Sequence, residues 1–85
     1  MGRGGGIAVL RLFAAARQAA GTGRDVIDGA TVREILDAAV ARYGDEFGDV
    51  LRTCRVWVNG EAADAATPVG PSDEVAVLPP VSGGG

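Results

Sequence analysis

The 85-residue chain has no histidine and a single cysteine, Cys54. One cysteine excludes a disulfide within the chain, and without histidine no Cys/His zinc site can form. No apolar run approaches the length of about 18 residues that a membrane-spanning helix needs, and the first residues show no secretory signal pattern. We therefore expect a cytoplasmic protein with no membrane partner. Cys54 is expected to act as a small buried apolar residue rather than as a reactive thiol.

The chain also has no lysine, and its charge balance is mildly acidic. Eight arginines stand against eleven acidic residues, for a formal net charge of −3, so no nucleic-acid partner is expected. Three of the acids, Asp45, Glu46 and Asp49, fall close together in the chain. We place them in a solvated loop rather than against the basic rim of a partner.

Four segments are predicted as strands from their alternation and flanking turn residues: 7–13, 24–27, 55–58 and 74–78. In the first segment Ala8, Leu10 and Leu12 share the face that is expected to meet the core. Asn59-Gly60, directly after the third segment, is a strong hairpin signal. Residues 62–71 are predicted as a turn-rich return, with a short strand left open.

One helix is predicted with both of its ends marked. Thr31 and Glu34 match a capping box at its start, and Gly44 ends it. Between these ends the apolar residues recur at helical spacing: Val32, Ile35, Leu36, Ala39, Val40 and Tyr43. Phe47 and Leu51 are expected to anchor a second, shorter helical turn.

Two strands, a helix and further strands form the order of the β-grasp, or ubiquitin-like, fold. We therefore predict an α+β domain over residues 7–81, with a mixed sheet of four to five strands and one main helix packed across it. The long crossover lets the first and last strands pair in parallel, with the last strand central. Residues 1–6 are expected to be a disordered lead-in and residues 82–85 a flexible glycine tail.

The last residues of the sequence are the most informative. Pro79 and Pro80 lack N–H donors, so they end the last strand and stiffen an extended exit. The four residues 82–85 then reach about 13 Å, and glycines lack the Cβ atoms that would block a narrow channel. Glycine-rich ends are also common as passive linkers. The direct step from strand to prolines to glycines favours a tail whose carboxylate is the active group.

These residues carry a resemblance to a known family. Residues 9–21 resemble the first strand and following loop of the small subunit of molybdopterin synthase, and residues 58–61 resemble its hairpin. Residues 73–84, with Leu-Pro-Pro-Val-Ser before the glycines, are similar to its terminus. The similarity covers residues 7–85, and the tail motif is typical of ubiquitin-like sulfur carriers, the molybdopterin branch in particular.

The resemblance implies a carrier cycle in which partner proteins do the catalysis. An ATP-using, E1-like enzyme adenylates the terminal glycine carboxylate, and sulfur then displaces AMP to give a thiocarboxylate. In the molybdopterin branch the tail enters the large synthase subunit, where the sulfur passes to the pterin precursor. The resemblance therefore implies no bound cofactor, since ATP and the sulfur donor are used by the activating partner.

The tail supplies five candidate site residues. Aligned on Pro-Pro-Val-Ser, the family's final pair corresponds to Gly83 and Gly84, so Gly85 is an additional residue. We assign the reactive carboxylate to Gly85, with Gly84 beside it; trimming to Gly84 is the alternative. Gly83, Ser82 and Pro80 are expected to contact the partner.

Trp57 and Arg55 complete the candidate site. They are predicted on the sheet face opposite Val56 and Val58, which point to the core. Because tryptophan and arginine are enriched at interface hot spots, we interpret the pair as a docking anchor; partial cover of Trp57 by a neighbouring loop is the alternative.

Other functions stay open at this point. A sulfur carrier for thiamine thiazole, tRNA thiolation, cysteine or thiosugar synthesis shares the fold and the tail, which therefore cannot choose among them. A ubiquitin-like modifier would instead form an isopeptide bond through its last glycine. A passive domain with a glycine linker would undergo no activation.

Overall fold

The computed structural model describes residues 7–80. The elements in chain order are β1 (Ile7–Leu12), α1 (Ala14–Ala20), β2 (Arg24–Asp28), α2 (Val32–Tyr43), α3 (Asp45–Leu51), β3 (Arg55–Val58), β4 (Glu61–Ala62) and β5 (Glu74–Leu78). The predicted lead-in at residues 1–6 lies outside the described residues, as do Val81 and the predicted tail at residues 82–85.

The five strands form one mixed sheet in the order β2-β1-β5-β3-β4. β1 is antiparallel to β2 and parallel to β5, with Leu10 opposite Val75. β3 is antiparallel to β5, with Val56 opposite Val77. The predicted parallel pairing of the first and last strands is confirmed, as is the central position of the last strand. The sheet with helices packed across it is a β-grasp fold.

The core lies between the helices and one face of this sheet. Ala8, Leu10 and Leu12 are buried on that face, as predicted from the alternation in β1. Among the described residues, Phe47 of α3 has the largest fully buried side chain. The other buried core residues are Ala16, Ile27, Val32, Ile35, Ala39, Val69, Val75 and Val77.

The main helix, α2, begins and ends where the sequence predicts. The Thr31 hydroxyl accepts a hydrogen bond from the Glu34 N–H at 3.2 Å, and the Glu34 carboxylate accepts one from the Ala30 N–H at 2.8 Å. The carboxylate thus reaches one residue beyond the N-cap. Gly44 follows the helix with φ at +106°, a conformation that glycine adopts without strain.

Two short helices accompany α2. The acidic residues Asp45, Glu46 and Asp49 lie in α3, so their predicted placement in a loop is wrong. The carboxylates of Asp45 and Glu46 occupy the first helical turn, where the helix dipole favours negative charge. Phe47 anchors this helix from the core side, as predicted. α1 is not predicted from the sequence; it ends at Gly21, which has φ at +79°.

Candidate functional site: the tail exit and the open sheet face

The chain leaves the described domain from the middle of one end of the sheet. β5, which ends at Leu78, is the central strand and runs parallel to β1. Pro79 and Pro80 follow it and are both exposed. Residues 82–85 lie outside the described residues, so Pro80 is the predicted tail contact whose position the structure gives.

Trp57 and Arg55 face away from the helices, as predicted. Both are exposed, whereas the residues that alternate with them in β3 pack against the core. Trp57 keeps 37% of its surface exposed, and its cross-strand neighbours are the small residues Ala62 and Ala76. The indole is therefore accessible to a partner, which the docking interpretation requires.

The sheet face that no helix of residues 7–80 covers is here called the open face. Besides Trp57 it carries three exposed large apolar side chains, with exposed fractions of 54% for Ile7, 37% for Phe13 and 43% for Val26. None of the three was singled out from the sequence. The exposure of Phe13 could have been predicted from the sequence, because Phe13 continues the alternation of β1 on the side opposite Leu12.

Arginines accompany the apolar side chains of the open face. The Arg11 guanidinium pairs with the Glu74 carboxylate at 2.9 Å and lies 5.7 Å from the centre of the Phe13 ring. Arg24 lies directly opposite Arg11 on β2, and Arg55 lies opposite Leu78 next to the exit. A partner with an apolar centre and acidic groups around it would complement this arrangement.

A groove of about 520 Å³ lies beside Pro80 at the outer edge of β3. It exists because β4 is only two residues long and pairs with Trp57 and Val58 alone. One further bond follows, from the Ala63 N–H to the Val56 carbonyl at 3.0 Å. The lining residues are Val32, Leu36, Arg52, Thr53, Cys54, Arg55, Val56, Trp57, Ala62, Ala63, Asp64, Ala65 and Pro80. No sequence pattern marks this groove.

Cys54 lines the groove, but its thiol is not activated. The residue is half-buried, and Sγ donates a hydrogen bond to the Val50 carbonyl at 3.3 Å. Burial raises the pKa of the thiol, whereas cysteine nucleophiles need the thiolate form. An apolar role therefore fits Cys54, with partial rather than full burial.

Within residues 7–80, no group of three His, Cys, Asp or Glu side chains is placed to hold a metal ion. The same part of the chain has no helix with the length and apolar character to span a membrane.

A separate polar cluster joins β2 to the end of α2. The Asp25 carboxylate accepts hydrogen bonds from the Tyr43 hydroxyl and from Arg42 Nη1, the latter at 2.7 Å. The bond from Tyr43 and the charge of Arg42 hold the pKa of Asp25 below its usual value. Burial, together with the bond to Asp25, raises the pKa of Tyr43 to about 12. The cluster lies at the β2 edge, opposite the groove at the β3–β4 edge, and so acts on stability rather than on the exit.

Comparison with known proteins places the chain in a family. Residues 10–84 match the ThiS family, so the match ends one residue before Gly85. Small archaeal modifier protein 1 of Haloferax volcanii is 40% identical over 85 residues, which cover 87% of this chain and 97% of the relative. A crystal structure of that protein aligns with a TM-score of 0.79 and 31% identity, over 91% of this chain and all of the other.

Two further solved structures share the fold at lower identity. A candidate molybdopterin converting factor, subunit 1, from Pyrococcus furiosus aligns with a TM-score of 0.79 and 25% identity, covering 89% of this chain and 99% of that one. A chain of the BexX/CysO complex from Amycolatopsis orientalis aligns with a TM-score of 0.75 and 25% identity, covering 91% and 99%. The family match over most of the sequence, with a relative at 40% identity, shows that this chain belongs to the ThiS family of ubiquitin-like sulfur carriers.

Proposed function

We propose that this chain is a sulfur carrier that is adenylated at the Gly85 carboxylate and converted there to a thiocarboxylate. We further propose that it donates this sulfur in molybdopterin biosynthesis, as the small subunit of molybdopterin synthase. The observation that carries the proposal is the exit: the central strand ends at exposed prolines beside an uncovered apolar face. The family's glycine motif follows directly.

The chemistry asks little of the carrier domain itself. A carboxylate is a poor electrophile, and adenylation converts its oxygen into part of a good leaving group, AMP. Attack by the donor sulfur forms the carbon–sulfur bond as the bond to AMP breaks. The carrier supplies a carboxylate that reaches into the partner and a surface that docks; the E1-like enzyme and the large synthase subunit supply the catalytic groups.

Trp57 is the proposed anchor for these partners. Hot-spot tryptophans contribute at least about 2 kcal/mol to binding, equivalent to roughly 30-fold in affinity. Trp57→Ala is therefore expected to weaken binding to the E1-like enzyme by about that factor and leave the fold intact, as measured by calorimetry and circular dichroism. Arg33→Ala, at an exposed position of α2 and away from the open face, is the control and should bind normally. Unfolding of Trp57→Ala, or equal losses in both variants, would contradict the anchor.

Two relatives support different recipients of the activated carboxylate. The Leu-Pro-Pro-Val-Ser segment and the likeness to the Pyrococcus protein support the molybdopterin role. The name and 40% identity of the Haloferax relative favour a second candidate, a ubiquitin-like protein modifier. Carriers for thiazole, tRNA thiolation, cysteine or thiosugar synthesis use the same first steps.

The deciding measurement is the intact mass of the chain purified from its native cells. A species heavier by the difference between sulfur and oxygen, mapped to Gly85 and removed by thiocarboxylate-specific alkylation, supports the carrier. Loss of one glycine would move the reactive end to Gly84. Denaturant-resistant adducts with other proteins would instead support the modifier.

Reconstitution then tests the recipient. The chain that carries the thiocarboxylate, mixed with the large synthase subunit and the pterin precursor, is expected to form the dithiolene product. If the thiocarboxylate forms but no dithiolene product appears, the sulfur is assigned to another pathway. A chain that ATP, the E1-like enzyme and a sulfur donor leave unmodified would refute the carrier function altogether.

A further inference from the structure

The groove at the outer edge of β3 carries unbalanced positive charge. Arg52 and Arg55 are both exposed in its lining, and neither forms an ion pair within residues 7–80. Asp64, the one acidic residue in the described lining, already accepts hydrogen bonds from the Ala66 N–H at 3.0 Å and the Thr67 hydroxyl at 3.3 Å. The two guanidinium groups therefore suit a carboxylate from outside the described domain.

The groove also offers a strand edge. The Ala63 N–H bonds to the Val56 carbonyl, and the described part of the chain places no strand beyond this point on that side of β3. An extended segment that lies here can form backbone hydrogen bonds with the edge. Glycine residues can approach such an edge more closely than residues with a Cβ.

We propose that this groove binds the C-terminal segment of the same chain, residues 81–85, with the Gly85 carboxylate held by Arg52 and Arg55. The segment starts at Pro80, which itself lines the groove. Five residues reach at most about 16–18 Å, and Arg52 and Arg55 line the same groove as Pro80, where the segment starts. The apolar side chain of Val81 suits the apolar part of the lining, and the glycines suit the strand edge.

Because the tail is covalently tethered at Pro80, weak contacts are sufficient to hold it in the groove. A short connection gives an effective concentration on the order of millimolar, so an intrinsic dissociation constant of about that size already fills half of the grooves. An exposed charge pair is weak on its own, and here it acts together with strand-edge and apolar contacts. Occupancy is thus set by the tether rather than by a tight site.

Docking of the tail has a consequence for activation, and this consequence rests on the proposed function. A carboxylate held by Arg52 and Arg55 is withheld from the adenylating enzyme. Trp57 both lines the groove and faces the partner side. A partner that binds Trp57 therefore competes with the docked tail and releases it where it is needed.

The docking is tested on the full-length chain without ATP or partner. Trp57 is the only tryptophan, so its emission reports on the groove, as do the backbone amide signals of Val56 and Ala63. A chain made with a C-terminal amide in place of the carboxylate is expected to shift both readouts. The shift on amidation should be largely lost in Arg52→Gln. It should persist in Arg24→Gln, the control at the opposite edge of the sheet.

Two results would overturn the docking. Amidation that leaves Trp57 and the groove amides unchanged excludes it, as does an equal amidation effect in the Arg52 and Arg24 variants. A shift that grows with protein concentration assigns the groove to the tail of a second copy and overturns the intramolecular form.

The regulatory consequence is tested separately from the proposed function. Arg52→Gln is expected to be adenylated at up to about twofold lower half-saturating concentration than the parent chain, because the available fraction of its tails rises from about one half toward one. An unchanged value together with observed docking would overturn the regulation. Absence of adenylation in every variant would refute the proposed function and leave the docking result standing.

Discussion

Replacing Tyr43 with phenylalanine removes the hydrogen bond that ties β2 to the end of α2. The ring of Tyr43 packs edge to face against Phe47, with centroids 5.2 Å apart, and Tyr43→Phe keeps this contact. A hydrogen bond to a charged acceptor contributes about 1.5–3 kcal/mol. Asp25 keeps 25% side-chain exposure and its partner Arg42, so we expect the free energy of unfolding to fall by about 1–2 kcal/mol at neutral pH. Urea denaturation measures this change.

The size of the loss depends on pH. Because the bond from Tyr43 helps to hold the pKa of Asp25 below its usual 3.8, its stabilising effect is complete above that value. The effect is lost as the pH falls through the folded-state pKa, so parent and variant should converge in acid. On the alkaline side, the pKa of Tyr43 rises from 10.0 to about 12 on folding. The parent should lose stability as the pH rises from 10.0 to about 12, and Tyr43→Phe should lack this loss.

A double-mutant cycle isolates the bond. In an Asp25→Asn background the Tyr43 hydroxyl has no charged acceptor, so Tyr43→Phe should cost less than about 1 kcal/mol. An equal cost of Tyr43→Phe in both backgrounds would refute the charged hydrogen bond as the source of stability. So would a cost that does not shrink as the pH falls through the folded-state pKa of Asp25, which lies below its usual value.

Three further substitutions have expected effects on the urea midpoint. Phe47→Ala removes the largest fully buried side chain among the described residues and should cost about 3–5 kcal/mol, a large part of the free energy of unfolding of a domain of this size. An unchanged midpoint would place Phe47 outside the core. Thr31→Ala removes the acceptor for the Glu34 N–H and should cost about 1 kcal/mol, whereas Thr31→Ser should cost little; equal losses would contradict the cap. Gly60→Ala should cost about 1–2 kcal/mol, because Gly60 has φ at +85°, although the added Cβ meets no atom of another part of the chain within 4 Å. Gly60→Asn should cost less. Full stability of the alanine variant would show that the turn relaxes.

The fold was predictable where local signals agree with the tertiary structure. Thr31 makes the capping contact that its spacing with Glu34 predicts, and the Glu34 carboxylate reaches back to the Ala30 N–H, one residue before the expected partner. Asn59 and Gly60 both adopt positive φ, at 51° and 85°, as a tight hairpin turn requires. The parallel pairing of β1 and β5 followed from the long crossover between them, which also made the last strand central.

The parts that were not predicted depend on contacts between distant segments. α1 has no side-chain cap at its start and only seven residues, so its stability comes from packing rather than from a local signal. The two-residue length of β4 is set by where it stops pairing with β3. The groove beside Pro80 is the direct result of that short pairing, which no spacing in the sequence encodes. Arg52 became a candidate ligand only once this groove was visible.

The absence of lysine makes an in vitro assay that distinguishes the carrier from the modifier simple to interpret. An activated Gly85 carboxylate finds no ε-amine on a second copy of this chain, so lysine-linked chains of the protein cannot form. Every isopeptide adduct must then contain a different protein. In a mixture of this chain with ATP and the E1-like enzyme, the only lysines that can accept this chain are those of the enzyme. In such a mixture a modifier gives enzyme adducts, while a carrier supplied with a sulfur donor gives free chain with a thiocarboxylate. A ladder of this chain alone would mean that a nucleophile other than lysine accepts the carboxylate.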